Sequence, residues 1–347
     1  MNIFISLLLK IARRFKRPNS FHNKIMAGYQ GWFGCPNDGS ELNSWFHWES
    51  ENLPDVSELS QEELFTRGSA KVYSSYNKSS VTRHFKWMHE YSIDGIFLQR
   101  FVCELSSGPH LEFRNKVLSN VREAAEQYGR VFSVMYDISG EDNGTLYERI
   151  TSDWESIKTV TNSNMYTKFN NKPLVTVWGF GFKENNCTPE VAMNIIQYFK
   201  DRECAVMGGV PAYYRSLDRD CKSDPAWKKV FRMLDVISPW TVGRYTDDKS
   251  ASKYQNFTLA IDTILAWWRG QDYMPVVFPG YSFPNKPTIP SRGGQFLLHQ
   301  VKNLCCTSLY IAMFDEVNEG TAVYKLADTS PSDLYLKLIA RMKNSLL

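Results

Sequence analysis

Two glutamates, Glu316 and Glu319, stand three residues apart in the segment DEVNEG at 315–320. They end a short run of apolar and aromatic residues at 308–316 that predicts a buried strand. Paired carboxylates suit glycoside cleavage, because one must be protonated to help the leaving group depart while the other is ionised. The alternative is a solvated turn at a helix N-terminus, where the helix dipole favours acidic residues.

Other residues able to contact a sugar end the remaining predicted strands. Aromatic residues make up 14% of the sequence, and pyranose faces stack well on aromatic rings. The candidate contacts are Tyr29, Gln30, Arg100, Tyr136, Asp137, Trp178, Tyr213, Trp240, Arg244, Tyr245 and Tyr281. Several have a structural alternative: the rings can fill the core, Asp137 can cap a helix, and Arg100 can form an ion pair.

The elements that must position these residues follow one repeating pattern. Short apolar runs alternate with longer amphipathic stretches, and continuous apolar runs are typical of parallel strands covered on both faces. The eight runs occupy 25–32, 94–101, 130–139, 172–180, 205–213, 236–243, 273–281 and 308–316. This alternation predicts an α/β protein, a (β/α)8 TIM barrel. The alternative, an open doubly wound sheet, lacks its usual GxGxxG after the first strand.

Helical spacing of apolar residues predicts helices at 78–91, 114–128, 255–269 and 332–345. In the third of these, Leu259, Ile264 and Trp268 are among the residues expected to face the barrel. About 45 residues separate the first strand from the helix at 78, which is long for a barrel loop. The sequence therefore predicts a single barrel domain over 21–347, with a long loop after strand 1 above the catalytic face.

Residues 1–20 are predicted to be a separate basic amphipathic segment. Within it, 3–17 place apolar residues on one helical face and basic residues mainly on the other, a pattern typical of a helix lying in a membrane interface. The alternatives are a terminal helix packed on the domain and a signal sequence, although the charges follow the apolar patch instead of preceding it. We expect a cytoplasmic or membrane-peripheral protein, with secretion as the alternative.

Charge and motif content exclude several classes of function. With 40 Lys and Arg against 37 Asp and Glu, the net charge of +3 argues against nucleic-acid binding. The six histidines are scattered and no CxxC occurs, so we expect no metal site and no cofactor. A serine-hydrolase motif of the form GxSxG is also missing.

Three groups of residues resemble glycoside hydrolase family 99 and the wider 71/99 clan. These are MAGYQGWFG with the following WFHW, FPGYS followed by Arg292-Gly293-Gly294, and FDEVNEGTA. The likeness covers about residues 24 to 325, and the family contains endo-α-1,2-mannosidases and endo-mannanases. Its P-x-x-x-P-G-Y segment matches Pro275 to Tyr281, and its N-E-W-x-E-G motif matches 315–320.

The resemblance implies roles for particular residues. Glu316 matches the general base that deprotonates the sugar 2-hydroxyl, and Glu319 matches the acid/base that acts on the leaving oxygen and on water. The implied substrate contacts are Tyr281, Trp240, Tyr245, Arg292, His47 and Trp48. Two departures alter the sugar-contacting residues: Val317 replaces the family's Trp, and Asp137-Ile138 stands where characterised members have Glu and Pro.

Taken together, these features predict a metal-independent, retaining, endo-acting glycosidase that cleaves an α-linked oligo- or polysaccharide. One alternative is a glycosyltransferase or transglycosylase of surface-polysaccharide assembly that uses the same cleft with a sugar acceptor. Another is a glycan-binding barrel without catalysis. Transfer in the presence of acceptor, or binding without turnover, distinguishes these from hydrolysis.

Overall fold

The computed structural model describes residues 23–50, 52–302, 304 and 308–346. The predicted membrane-interface helix at 3–17 lies outside the described residues. No helix among the described residues is long and apolar enough to cross a membrane. The five cysteines described, Cys35, Cys103, Cys187, Cys204 and Cys221, are free thiols.

Parallel strands form within all eight of the predicted apolar runs. They are β1 Ile25–Tyr29, β2 Gly95–Phe101, β3 Val131–Asp137, β4 Lys172–Trp178, β5 Ala205–Pro211, β6 Val236–Trp240, β7a Asp272–Tyr273, β7b Val276–Val277 and β8 Leu309–Ile311. Neighbours along the chain pair with one another, and β8 pairs back onto β1. The seventh strand is split, because β7a pairs with β6 while β7b pairs with β8. The two segments together complete the (β/α)8 barrel, so the predicted fold is confirmed.

Helices follow the strands and cover the outside of the barrel. They are α1 Lys78–Glu90, α2 Pro109–Tyr128, α3 Asn143–Ile157, α4 Pro189–Asp201, α5 Trp227–Met233, α6 (Asp248–Tyr254, a π-helical turn Gln255–Leu259 and Ala260–Trp268), α7 Gln295–Lys302 and α8 Leu334–Leu346. The second begins five residues earlier than predicted, at Pro109, since proline suits the first helical position. In α6, Leu259 is buried as expected, whereas Trp268 is 77% exposed.

The pleat of β2 and β3 decides which side chains reach the barrel interior. Gln99 lies opposite Met135 and Phe101 opposite Asp137 in the strand register. Because side chains alternate along a strand, the intervening Arg100 points the other way, into the helical layer. There it pairs with Asp153 of α3.

The loop after β1 is long, as predicted, and packs over the barrel mouth. It contains a small hairpin formed by Phe65–Arg67 and Ala70–Val72. Trp48 anchors the loop: its indole Nε1 donates to the Tyr73 carbonyl at 3.0 Å, and its ring lies 4.1 Å from that of Phe33. The loop therefore has a core of its own, which fixes its position above the strand ends.

Candidate functional site

Glu316 lies just beyond β8 and is only 2% exposed. Its Oε2 accepts a hydrogen bond from Gln30 Nε2 at 2.9 Å. Its Oε1 accepts from the backbone N–H groups of Asn318, at 2.8 Å, and Glu319, at 3.2 Å. Burial raises the pKa of Glu316, and the charges of Glu319 and Asp315 raise it further. The two backbone N–H donors oppose that rise, since they stabilise the ionised form.

Glu319 lies three residues further along and is partly exposed. Burial raises the pKa of this carboxyl above the ordinary glutamate range, and the charge of Asp137 adds to the effect. The charge of Glu319 in turn raises the pKa of the Tyr281 hydroxyl, which is raised mainly by burial. Glu316, Glu319, Asp137 and Tyr281 therefore surround one electrostatically coupled site at the barrel mouth.

Asp315 joins the end of β8 to the end of β1. It is fully buried and accepts the backbone N–H groups of Gln30 at 2.8 Å and Gly31 at 3.0 Å. Burial raises the pKa of Asp315 to about 6. From the other side, buried Arg114 donates to the Gln30 carbonyl at 3.0 Å and pairs with Glu104 at 2.5 Å. The position of Gln30, and so of its bond to Glu316, is fixed from both sides.

The first loop holds the segment 315–320 in place. The Val317 carbonyl accepts Ser50 Oγ at 2.9 Å and Asn52 Nδ2 at 3.3 Å. Asn318 Nδ2 donates to the His47 carbonyl at 3.0 Å. A loop that is remote in sequence therefore orients the turn bearing both glutamates.

A stack of three rings forms one wall of the site. The His47 ring lies 3.7 Å from that of Trp32, nearly parallel, and Trp32 stacks on Phe101 at 5.2 Å. Burial and the charge of Arg114 lower the pKa of His47 to about 4, so the imidazole is neutral near pH 7. The Trp32 indole Nε1 is buried without a hydrogen-bond partner among the described residues. Trp32 and Phe101 were not among the residues predicted as sugar contacts, although Phe101 directly follows Arg100 and Trp32 lies two residues after Gln30.

Trp178 and Trp240 form a second aromatic group across the barrel. Their rings meet edge to face at 5.5 Å, and Trp178 stacks on Phe182 at 4.7 Å. The Trp178 Nε1 atom is buried and has no partner among the described residues. Gly209 makes room for this indole, since a Cβ there would lie 2.4 Å from Trp178 Cδ1.

Tyr213, Arg244 and Tyr281 lie on the remaining part of the rim. Tyr213 is half-buried, with the Arg219 guanidinium 4.1 Å over its ring. Arg244 Nε donates to Asp220 at 2.8 Å, and the Arg244 charge lowers the pKa of Tyr281 against the effect of burial. These three residues are partly exposed and remain available to a ligand.

Five predicted contacts lie beneath the rim instead, where each makes hydrogen bonds inside the protein; the Arg100 Nη1 atom alone among their polar atoms has no partner among the described residues. They are Tyr29, Trp48, Arg100, Tyr136 and Tyr245. The hydroxyl of Tyr29 bonds His84 Nδ1 at 2.8 Å, that of Tyr136 donates to Asp153 at 2.7 Å, and that of Tyr245 donates to Gln300 at 3.0 Å. For residues within strands the reason is the pleat, which turns Tyr29, Arg100 and Tyr136 toward the helices. Their burial leaves them little surface for a substrate, and we interpret them as supports of the site.

Arg292 is exposed in the loop after β7b and pairs with Asp248 at the start of α6. Its second guanidinium contact to the same carboxylate, from Nη1, measures 3.1 Å. The ion pair joins the Arg292 guanidinium to the start of α6. Contact of Arg292 with a substrate stays a prediction.

No cluster of three or more His, Cys, Asp or Glu in the described part of the chain is arranged to hold a metal ion. What the site offers is two adjacent carboxylates of raised pKa beneath partly exposed rings. Two such groups that cannot both ionise easily can share one proton, which is the requirement for concerted acid and base catalysis.

The comparisons with known proteins agree with the fold. Two structures titled as the GH99 endo-alpha-mannosidase from Bacteroides thetaiotaomicron, one in complex with bis-tris-propane, are 14% identical to this chain. They cover 93% of this chain and 97% of their own, with TM-scores of 0.67 and 0.69. A GH5_18 structure from Streptomyces cattleya in complex with GlcNAc is 12% identical over 78% of this chain and 75% of its own, with a TM-score of 0.52.

No protein-family model matches the sequence, and no curated protein matches it. At the identities found, the structural likeness establishes the fold. The resemblance to family 99 seen in the sequence is confirmed at that level.

Proposed function

We propose that the chain is a retaining, endo-acting glycoside hydrolase that cleaves α-linked glycans, with Glu316 as general base and Glu319 as general acid/base. The observation that carries the proposal is the environment of Glu316. Its buried carboxylate accepts hydrogen bonds from three N–H donors and lies within electrostatic range of a second, partly exposed glutamate. The pair lies at the C-terminal ends of the barrel strands, which is the face where catalysis occurs in this fold.

The surroundings of the pair support this division of roles. N–H donors stabilise an ionised carboxylate, and Glu316 has three of them, so it suits the base. No side-chain donor to Glu319 lies among the described residues, and both burial and the Asp137 charge favour its protonated form. Since the two carboxyls repel one another when both are ionised, they can share one proton. Burial and neighbouring charges raise the pKa of Glu316 to about 8 and that of Glu319 to about 7, so the proposed reaction needs Glu316 to be ionised in the substrate complex, where its three N–H donors stabilise the charge.

The reaction then proceeds in two steps. Glu316 removes the proton of the sugar 2-hydroxyl, and that oxygen displaces the leaving group at C1 while the Glu319 carboxylic acid protonates the departing oxygen. In the second step the Glu319 carboxylate deprotonates a water molecule, which opens the resulting 1,2-anhydro sugar at C1, and Glu316 returns its proton to the 2-oxygen. Two inversions at C1 give net retention, and both carboxyls regain their starting states.

The two aromatic groups supply the substrate-binding surfaces in this proposal. Trp178 and Trp240 offer partly exposed rings to sugar faces, and His47 covers the outer side of the stack whose middle ring is Trp32. The buried indole N–H groups of Trp32 and Trp178 lack protein partners among the described residues. A cavity of about 340 Å³ adjoins Tyr281 and Val317 and opens between the loop after β7b and the segment after β8.

The test is product analysis on α-mannans and bacterial surface glycans with the wild type, Glu316→Gln, Glu319→Gln and the exposed control Glu148→Gln. We expect oligosaccharide release by the wild type and the control, and none by the other two. A substrate methylated at its 2-hydroxyl should resist cleavage, because the base then has no proton to remove. Cleavage undiminished in both Gln variants, or of the methylated substrate, would exclude these roles.

Two other outcomes would select the alternatives predicted from the sequence. Transfer to an added sugar acceptor in preference to water indicates a transglycosylase. Glycan binding without turnover, unchanged in both variants, indicates a binding protein.

A further inference from the structure

An apolar stripe runs along the outer surface of α6. Phe257 is 64% exposed and Trp268 is 77% exposed. Between them Ile261, Ile264 and Leu265 are half-buried. The spacing places all five on one side of a helix whose opposite side packs on the barrel. Exposed apolar surface of this extent on a helix marks a docking surface.

A cationic cavity of about 230 Å³ lies beside this stripe. It is lined by Tyr214, Arg215, Lys228, Phe231, Arg232 and Arg269. Buried Asp262 pairs with Arg215. Lys228, Arg232 and Arg269 form no ion pair within the part of the chain that the structure describes. The cavity therefore keeps a positive charge suited to a phosphate group.

The stripe and the cavity meet at α6. Arg269, which lines the cavity, directly follows Trp268 of the stripe. Asp262 of the same helix pairs with Arg215, which also lines the cavity. Further exposed cations occur on α6 and its neighbouring helices: Lys229 on α5, Lys253 on α6 and Lys302 on α7. Acidic residues also occur there: Asp224 before α5, Asp247 and Asp248 at the start of α6, and Asp272 after it. The cations outnumber them on the exposed surface of the three helices.

We propose that α5 and α6 form a docking surface for a membrane containing anionic phospholipid. The indole and phenyl rings enter the interface, where Trp and Phe are favoured, and the cavity takes a lipid phosphate. This surface is distinct from the predicted interfacial segment at 3–17. It also does not depend on the proposed glycosidase activity.

Charge favours an anionic membrane over two other partners for this surface, the segment at 3–17 and a second copy of the chain. The segment at 3–17 carries five basic residues, so the cations of α5 and α6 repel it. In a two-fold contact with a second copy, the same cationic rims would face one another. An anionic lipid surface complements both the apolar stripe and its cationic border.

Docking in this way leaves the catalytic face in solvent. The last turn of α6 leads through Gly270 into β7a, at the end of the barrel opposite the glutamate pair. With Trp268 against the bilayer, the cleft above Glu319 remains open to a glycan from the aqueous side.

The test is cosedimentation of the full chain with vesicles of phosphatidylcholine mixed with phosphatidylglycerol, compared with phosphatidylcholine alone. We expect binding to the mixed vesicles that falls with added salt. Phe257→Ser with Trp268→Ser, and separately Arg232→Glu with Arg269→Glu, should each weaken it by about tenfold or more. Tyr147→Ser, at another exposed ring on α3, should leave binding unchanged, and circular dichroism checks that each variant is folded.

Several results would overturn the proposal. The first is absence of binding by the wild type, and the second is equal binding to uncharged vesicles. The third is binding by the variants that equals that of the wild type, which would assign any membrane contact to 3–17. A wild-type dimer that dissociates in the Phe257→Ser, Trp268→Ser variant would identify the stripe as a contact between copies. Displacement from vesicles by millimolar inorganic phosphate would indicate a site for free anions instead.

Discussion

Gln30 Nε2 donates to Glu316 Oε2 at 2.9 Å, across 286 positions of sequence. The bond joins the end of the first barrel strand to the turn after the last. Its geometry is fixed on both sides, because the backbone of Gln30 is bonded to Asp315 and to Arg114. The amide thus acts as a positioning group for the proposed base.

Gln30→Leu should lower kcat by about 10- to 100-fold, since a hydrogen bond to a charged group contributes about 1.5–3 kcal/mol. Losing this donor raises the pKa of Glu316 further, so the limb of the pH–rate profile that reports the base moves to higher pH. Steady-state kinetics across pH measure both effects. The exposed Gln127→Leu is the control, and an unshifted profile in Gln30→Leu would mean that the amide does not act on Glu316.

Glu319→Gln should stabilise the fold at neutral and higher pH. The Glu319 carboxyl has a raised pKa in the folded state. Its contribution to the free energy of unfolding is therefore fully present below the pKa of a glutamate in the unfolded chain, about 4.3. That contribution is lost as the pH rises through the folded-state pKa. A neutral amide avoids this loss. We expect the variant to exceed the wild type by about 1–3 kcal/mol near pH 8 and to match it near pH 4.

Urea unfolding at both pH values measures that difference. A gap that is the same at both would show that packing, not ionisation, is responsible. Glu148→Gln, at an exposed carboxylate, should show no gap at either pH.

The sequence predicts the barrel well because continuous apolar runs report buried parallel strands directly. It predicts individual contacts less well, since the apolar pattern does not reveal which face of a buried strand each residue occupies. Arg100 and Gln99 are adjacent, yet only Gln99 points toward the barrel interior. The role of Gln30 likewise depends on its bond to Glu316, which closure of the barrel creates, and that of Trp32 depends on its stack with His47, which the folded loop creates.

Arg100 provides a direct check on the distinction between support and substrate contact. It is fully buried, and its guanidinium contacts Asp153 and, at 3.0 Å, Asn115. Arg100→Met leaves Asp153 buried without its charged partner, which should cost about 3–5 kcal/mol of stability. The protein that remains folded should keep the wild-type KM, and a raised KM at unchanged stability would restore Arg100 as a substrate contact. Urea unfolding and kinetics at low temperature separate the two quantities.

Two neighbouring glycines on β5 test the role of Trp178. A Cβ at Gly209 would lie 2.4 Å from Trp178 Cδ1, whereas one at Gly208 would lie 2.4 Å from Leu234 Cδ1. Both Gly→Ala substitutions should destabilise the fold by about 1–3 kcal/mol through overpacking. Only Gly209→Ala displaces the indole, so only it should raise KM for the glycan. Equal KM values in the two variants, measured where both are folded, would show that Trp178 does not bind the sugar.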